Sequence, residues 1–309
     1  MQIPTRTEWP TLFVVAICYG LFAISTVLIP TYSLFAATVL LTLAIALHSS
    51  LQHEVLHGHP FRTQWRSDLL VFPAIGLFIP YERFRDTHLT HHMDPNLTDP
   101  YDDPESNYLD PKNWARLNGF FRAVLRFNNT LLGRMLIGPA IGTTAFLVMD
   151  LRSMLKGDGA IARAYGLHAM GLVLVGWWLT TVATLPVWAY VVAAYGGLSL
   201  LKIRTFLEHR AHESVPGRTV VIEDGGPLAF LFLNNNYHSV HHAHPQLPWY
   251  ALPDHYASRR DSFLKRNQDY VYSNYAEIFR RYFLNTKDPV PHPLMEVEDK
   301  PHLNTARTS

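Results

Sequence analysis

Residues 9–52 read WPTLFVVAICYGLFAISTVLIPTYSLFAATVLLTLAIALHSSLQ, 44 positions without an Asp, Glu, Lys or Arg. A membrane-crossing helix needs about 20 residues, so this run holds two, with Pro30 near its midpoint. Proline cannot donate to a helix ladder and disfavours helix at the residue before it, which puts the break at Ile29–Thr31. Residues 164–201, 38 positions, also lack charge and divide at Pro186 in the same way. The expected spans are about 10–29, 31–52, 165–184 and 187–203. A secretory signal peptide would be shorter and would not continue straight into a second span.

Only 17% of the 309 residues are charged, against about 25% in soluble domains, so an ordinary cytosolic enzyme is excluded. A net charge of +1 gives no case for nucleic acid, and the single Cys18 excludes a disulfide, a Cys-ligated zinc site and an iron–sulfur cluster. Two hairpins would return the chain to one face each time. Every Lys and Arg lies in the N-terminus, residues 53–163 or residues 202–309, so the positive-inside rule makes that face cytoplasmic, both termini included. Leu69–Tyr81 and Met135–Met149 are too short to cross and are broken by Gly and Pro, which suits interfacial or half-inserted helices. The expected fold is therefore an all-α integral membrane protein: four transmembrane helices in two hairpins, interfacial helices and a cytoplasmic His-rich cap. Residues 1–284 form one domain. Within it Asp94–Pro111 reads as a solvated acidic connector, and residues 255–285 as helical and suited to a membrane surface. The polar, Pro-rich residues 285–309 read as a disordered tail.

Twelve of the 17 histidines fall in four clusters: His53-Glu-Val-Leu-His57-Gly-His59, His88-Leu-Thr-His91-His92, His209-Arg-Ala-His212 and His238-Ser-Val-His241-His242-Ala-His244. Residues at i, i+3 and i+4 share a helix face. His53/His57, His88/His91/His92 and His238/His241/His242 each aim two or three imidazoles one way. Neutral imidazole binds zinc, copper, iron and nickel. Eight nitrogens exceed the four or so that one zinc takes and suit two metals; two redox metals without thiolates point to non-haem iron and dioxygen. The isolated His48, His168, His255, His292 and His302 read as hydrogen-bonded polar residues. A rival reading takes His53-Glu54-Val55-Leu56-His57 as the HExxH of a zinc intramembrane protease, with Glu54 as general base. It would leave the two HxxHH triplets without a purpose.

With HEVLH, HLTHH and NNNYHSVHH in this order, and apolar hairpins between them, the chain resembles the membrane fatty-acid desaturase family over about residues 45–255. The resemblance implies a di-iron centre at the cytoplasmic face with His53, His57, His88, His91, His92, His238, His241 and His242 as ligands. It also implies one ligand near the end of the fourth span, His209 before His212. Asn236 or Asn234 is expected to hold a metal-bound water, and Glu54 and Glu208 to orient neighbouring imidazoles. His59 lies off the shared face unless Gly58 ends the helix, and is read as either a ligand or a supporting residue.

The activity implied is dioxygen-dependent desaturation of an acyl chain of a lipid. Dioxygen takes four electrons, of which the substrate supplies two, so a separate ferredoxin or cytochrome donor is expected. Hydroxylation or ketolation of a carotenoid or other lipid, desaturation of a small polar metabolite, and non-enzymatic metal binding or transport are the alternatives.

Overall fold

The computed structural model describes residues 7–295. Helix α1 (Trp9–Ala23) runs on through a π-helical turn at Ile24–Leu28 and a 3-10 turn at Ile29–Thr31, and α2 (Leu34–Leu56) follows at once. The break falls where Pro30 withholds a backbone donor. Ser33 then restarts the helix, its hydroxyl accepting from the Ala36 N–H at 3.2 Å. The two helices lie side by side in opposed directions: Glu8 meets His59 at 2.8 Å, and Cys18 Sγ donates to the Ala44 carbonyl. A connection of shorter helices follows, α3 (Gln64–Leu70), α4 (Tyr81–Met93), α5 (Pro111–Arg116), α6 (Gly119–Asn128) and α7 (Leu131–Leu136). Three longer helices come next, α8 (Gly138–Leu155), α9 (Gly159–Thr181) and α10 (Val187–Thr205). The remainder consists of β1 (Val221–Ile222), α11 (Pro227–Leu231), α12 (His238–Ala243), α13 (Leu252–Ala257), α14 (Arg260–Arg266), β2 (Val271–Tyr272) and α15 (Tyr275–Tyr282).

Helix α2 is the central post. Leu41, Ala44, Ala46, Leu51 and Val55 are fully buried along it. On the α10 side small residues allow close approach, since a Cβ on Gly197 would stand 2.7 Å from Ile45 Cγ2. At the end remote from His53, the Thr184 and Leu185 N–H groups donate to the Thr26 carbonyl, and Trp178 Nε1 donates to Thr26 Oγ1. Among the described residues three stretches are long and apolar enough to cross a membrane: Trp9–Thr31, Leu34–Leu56 and Gly159–Thr181. Helix α10 is not among them, its last turn carrying Lys202 and Arg204.

Several expectations need correction. The fold is not purely helical, because β1 and β2 pair in parallel with Val221 opposite Val271. Leu69–Tyr81 is not a helix: α3 stops at Leu70, Pro80 caps the start of α4, and Leu77 between them takes φ +64°. Met135–Met149 spans a junction at Ile137 between α7 and α8. Gly138-Pro139 opens the latter, at a position where proline is tolerated. Residues 255–285 break into three short helices and β2. The expectation of disorder from residue 285 does not hold for residues 285–295. The Leu109 N–H donates to the Val290 carbonyl, the His292 N–H to the Leu109 carbonyl, and Tyr108 Oη to Asp288 at 2.5 Å. A segment without periodicity is ordered here because another loop satisfies its backbone. Residues 296–309 lie outside the described residues.

Helix α4, which carries one histidine triplet, is tied to α8 and α9 through charge. Arg83 donates to both oxygens of the fully buried Asp150, at 2.9 and 2.8 Å, and Tyr165 Oη donates to the same carboxylate at 3.1 Å. Breaking a buried pair leaves the other charge uncompensated, at about 3–5 kcal/mol. Asp150→Ala is therefore expected to destabilise the protein by about 3–5 kcal/mol, read as a lowered unfolding midpoint in detergent, whereas Asp150→Glu should recover part of the loss.

Candidate metal centre

The last turn of α2 presents His53, and His57 caps it. Gly58 follows at φ +103°, a left-handed conformation natural to glycine, and ends the helix. Helix α4 presents His88, His91 and His92. His209 stands four residues beyond the end of α10. The two-turn helix α12 presents His238, His241 and His242, and the turn before it requires φ +49° at Leu233 and +55° at Asn234. Two consecutive left-handed residues other than glycine cost about 1–3 kcal/mol each, so the surrounding packing holds this turn.

These nine histidines lie in two groups, His53, His57, His88, His92 and His241 in one and His91, His209, His238 and His242 in the other. The nitrogens of each group fall within 4.8 Å of one another. The pattern among the Nε2 atoms is uniform. Nε2 of His53, His57 and His242 is buried without any hydrogen-bond partner. The other six face one another: His91 to His209 at 2.8 Å, His238 to His209 at 3.0 Å, and His92 to both His88 and His241 at 3.0 Å. Two nitrogens each about 2.1 Å from a shared metal, at right angles, lie about 3 Å apart. The unpaired buried atoms, the spacing and the all-imidazole donor set therefore fit two metal ions.

The other face of several rings is held by the protein. His88 Nδ1 lies 2.9 Å from Glu105, and His91 Nδ1 lies 2.7 Å from the buried Asp103. His238 Nδ1 lies 3.4 Å from Asn235 Oδ1, whose amide in turn donates to Glu208 at 2.9 Å. Arg204 pairs with Glu208 at 3.0 Å. Partners of this kind fix the tautomer and aim Nε2 inward. Burial pushes the His209, His238, His241 and His242 imidazoles well below their ordinary range, and their neighbouring imidazoles add to it. Burial and the adjacent His88 and His91 push His92 down to about 2. His91 behaves oppositely: burial lowers it, but Glu105 and Asp103 outweigh that and raise it to about 9.

Asp103 and Glu105 are the residues that sequence reasoning missed. They belong to the acidic segment expected to be a solvated connector, and its position directly after the α4 triplet is the only signal that could have marked them. Of the remaining expected residues, Glu208 stands 3.7 Å from His238 Nδ1 and can orient it. Glu54 contacts none of the nine grouped histidines, and His59 is the imidazole beside it. Its carboxylate accepts from the Trp249 N–H at 3.0 Å and lies 4.0 Å from His59, so it is not poised as an HExxH general base. His59 joins neither group; with the helix ended at Gly58, its Nδ1 turns to Glu8. His212 contacts the Ser214 backbone outside both groups. Asn236 donates to the Ile222 and Asp224 carbonyls, and Asn234 to that of Trp249. Asn235, between them, is the asparagine that reaches the histidines.

A cavity of about 230 Å³ opens between α2, α4, α9 and α10. It is lined largely by apolar side chains, including Ile45, Phe72, Leu77, Leu198 and Leu201. Phe84 and Gln52 also line it; the Phe84 ring packs 5.6 Å from that of His88, and Gln52 precedes His53. The cavity thus adjoins the five-histidine group.

Removing a carboxylate that supports a ligating imidazole typically costs about 10–100-fold in metal affinity. Asp103→Asn is expected to lose metal within that range, measured as metal retained against a graded chelator, with the fold intact by circular dichroism.

Comparison with curated proteins finds no match to the chain. The family model for fatty acid desaturase, in contrast, matches residues 29–274, well over half of the chain and all nine clustered histidines, and the chain belongs to the fatty acid desaturase family.

Proposed function

We propose that the chain is a dioxygen-dependent desaturase of a lipid acyl chain that works through two non-haem irons. The observation that carries this reading is the convergence of nine Nε2 atoms into two groups beside an apolar cavity. His53, His57, His88, His92 and His241 would hold one iron, and His91, His209, His238 and His242 the other. Bound there, the irons supply the oxidising power, with dioxygen, to take hydrogen from an unactivated C–H bond. Everything else falls to the protein. Asp103, Glu105 and Asn235 hold the imidazoles in the ligating tautomer. The apolar wall seats the alkyl chain beside the five-histidine group, keeps bulk water from it and fixes the reacting carbons. Family membership makes the protein an oxidoreductase with a lipid or acyl substrate, and with three apolar helices it is a membrane protein.

The finer topology belongs to the same proposal. Helices α1, α2, α9 and α10 cross as two hairpins, the histidines and both termini face the cytoplasm, and a separate ferredoxin or cytochrome supplies the two missing electrons. Hydrogen bonds from Thr184 and Leu185 to Thr26 support placing both hairpin tips at one membrane face.

Metal analysis of the purified protein is expected to give two irons per chain; one zinc and no iron would overturn the reading. Lipid mass spectrometry of cells with and without the gene, under oxygen, should show an acyl lipid losing two hydrogens. Gain of an oxygen atom instead would move the assignment to a hydroxylase or ketolase. His91→Ala and His241→Ala, one from each group, should each abolish turnover without preventing membrane insertion.

A further inference from the structure

Lys202 lines the cavity next to the five-histidine group, and its Nζ has no hydrogen bond or ion pair among the described residues. The other charged groups of the cavity wall are all paired. Asp68 accepts from Tyr81 Oη at 2.7 Å and Gln64 at 2.8 Å, Arg204 pairs with Glu208 at 3.0 Å, and Glu82 lies 3.6 Å from Arg163. The two cavity histidines are also engaged, His48 with Tyr19 Oη and His168 with the Leu77 carbonyl. The facing position of α8 is a glycine. A Cβ on Gly142, an exposed residue outside the cavity wall, would approach Lys202 Nζ at 3.7 Å.

Glu105 and Glu208 act on this ammonium only from beyond ion-pair distance, against Arg134 and Arg204, and an ammonium in a cavity wall is unfavourable unless a counter-charge meets it. In a membrane protein an ionisable group lining an internal cavity ordinarily marks a ligand or its path. We propose that Lys202 anchors an anionic oxygen of the substrate, so that the cavity takes an alkyl chain bearing a carboxylate or a phosphate rather than a neutral ester. The proposal rests on the desaturase reading above and adds the charge of the substrate to it. Lys202 acts as a positioning residue. An anion held at a fixed point determines which carbons of the chain lie beside the histidines. A lysine stem reaching only for lipid headgroups at the membrane surface would give no such preference within the cavity.

The experiment is equilibrium binding of hexadecanoate, its methyl ester and hexadecyl phosphate to the purified, metal-loaded protein in neutral detergent, with iron measured on the same samples. Wild-type protein is expected to bind one of the anions about tenfold more tightly than the ester, the size of one charge-assisted hydrogen bond. A preference for hexadecanoate identifies a carboxylate substrate, and one for hexadecyl phosphate a phosphate-bearing lipid. Lys202→Met should remove the preference while keeping ester affinity and iron content, and Lys202→Arg should retain it. Equal binding of all three probes by the wild type overturns the proposal, and so does a preference that survives Lys202→Met. Should Lys202→Met fail to fold, the wild-type comparison of anion with ester still decides. Binding is read without turnover, so loss of the di-iron assignment and loss of the anchor are separate results.

Discussion

Imidazole nitrogens cannot be buried in number without something to bind. Nine imidazoles converge here in two groups, and the demand that their inward lone pairs be met at two points organises the structure around them. Each pair of Nε2 atoms near 3 Å could share one proton, but three of the nine have no partner at all, so a hydrogen-bonded network alone does not account for the arrangement. Burial of most of these imidazoles favours their neutral form, the form that ligates, and His91, which is pushed the other way, is the one held against two carboxylates.

Because imidazoles from α2, α4, α12 and the segment after α10 must meet, each of those elements is pinned by contacts besides those among the histidines. The Arg83–Asp150 pair anchors α4 to α8. Small residues set α10 against α2. The left-handed pair Leu233 and Asn234 delivers α12, and Asn235 connects that turn to Glu208 and Arg204 at the end of α10. Stability and site geometry are therefore carried by the same contacts.

What could be read in advance was what depends on local periodicity. The charge-free runs, Pro30 and Pro186 locate α1, α2, α9 and α10, and the i, i+4 spacings keep His53 with His57, His88 with His92 and His238 with His242, whereas the i+3 members His91 and His241 each go to the other group. What depends on distant partners could not be read. Asp103 and Glu105 lie in an irregular loop whose composition suits open solvent, and only the folded position of α4 gives them work. The phase of three consecutive asparagines is set by two left-handed residues that no propensity announces, so Asn235 could not be told from its neighbours. Gly58 does end α2, but His59 then turns to Glu8 and joins neither group, which depends on a residue ahead of α1. Residues 285–295 lack any pattern because their order comes from Leu109, Asn129 and Tyr108 rather than from themselves.

That last segment bears on how the protein is made. Lys287 Nζ donates to the backbone carbonyl of His209, and its N–H to that of Asn129. Asp288 holds Tyr108, whose Oη accepts from the Ala211 N–H. The clamp on one histidine of the four-histidine group thus comes from residues translated long after that histidine. During synthesis His53, His57 and the α4 triplet emerge before α12 and this clamp exist, so the two histidine groups can close only once residues 238–288 have been made.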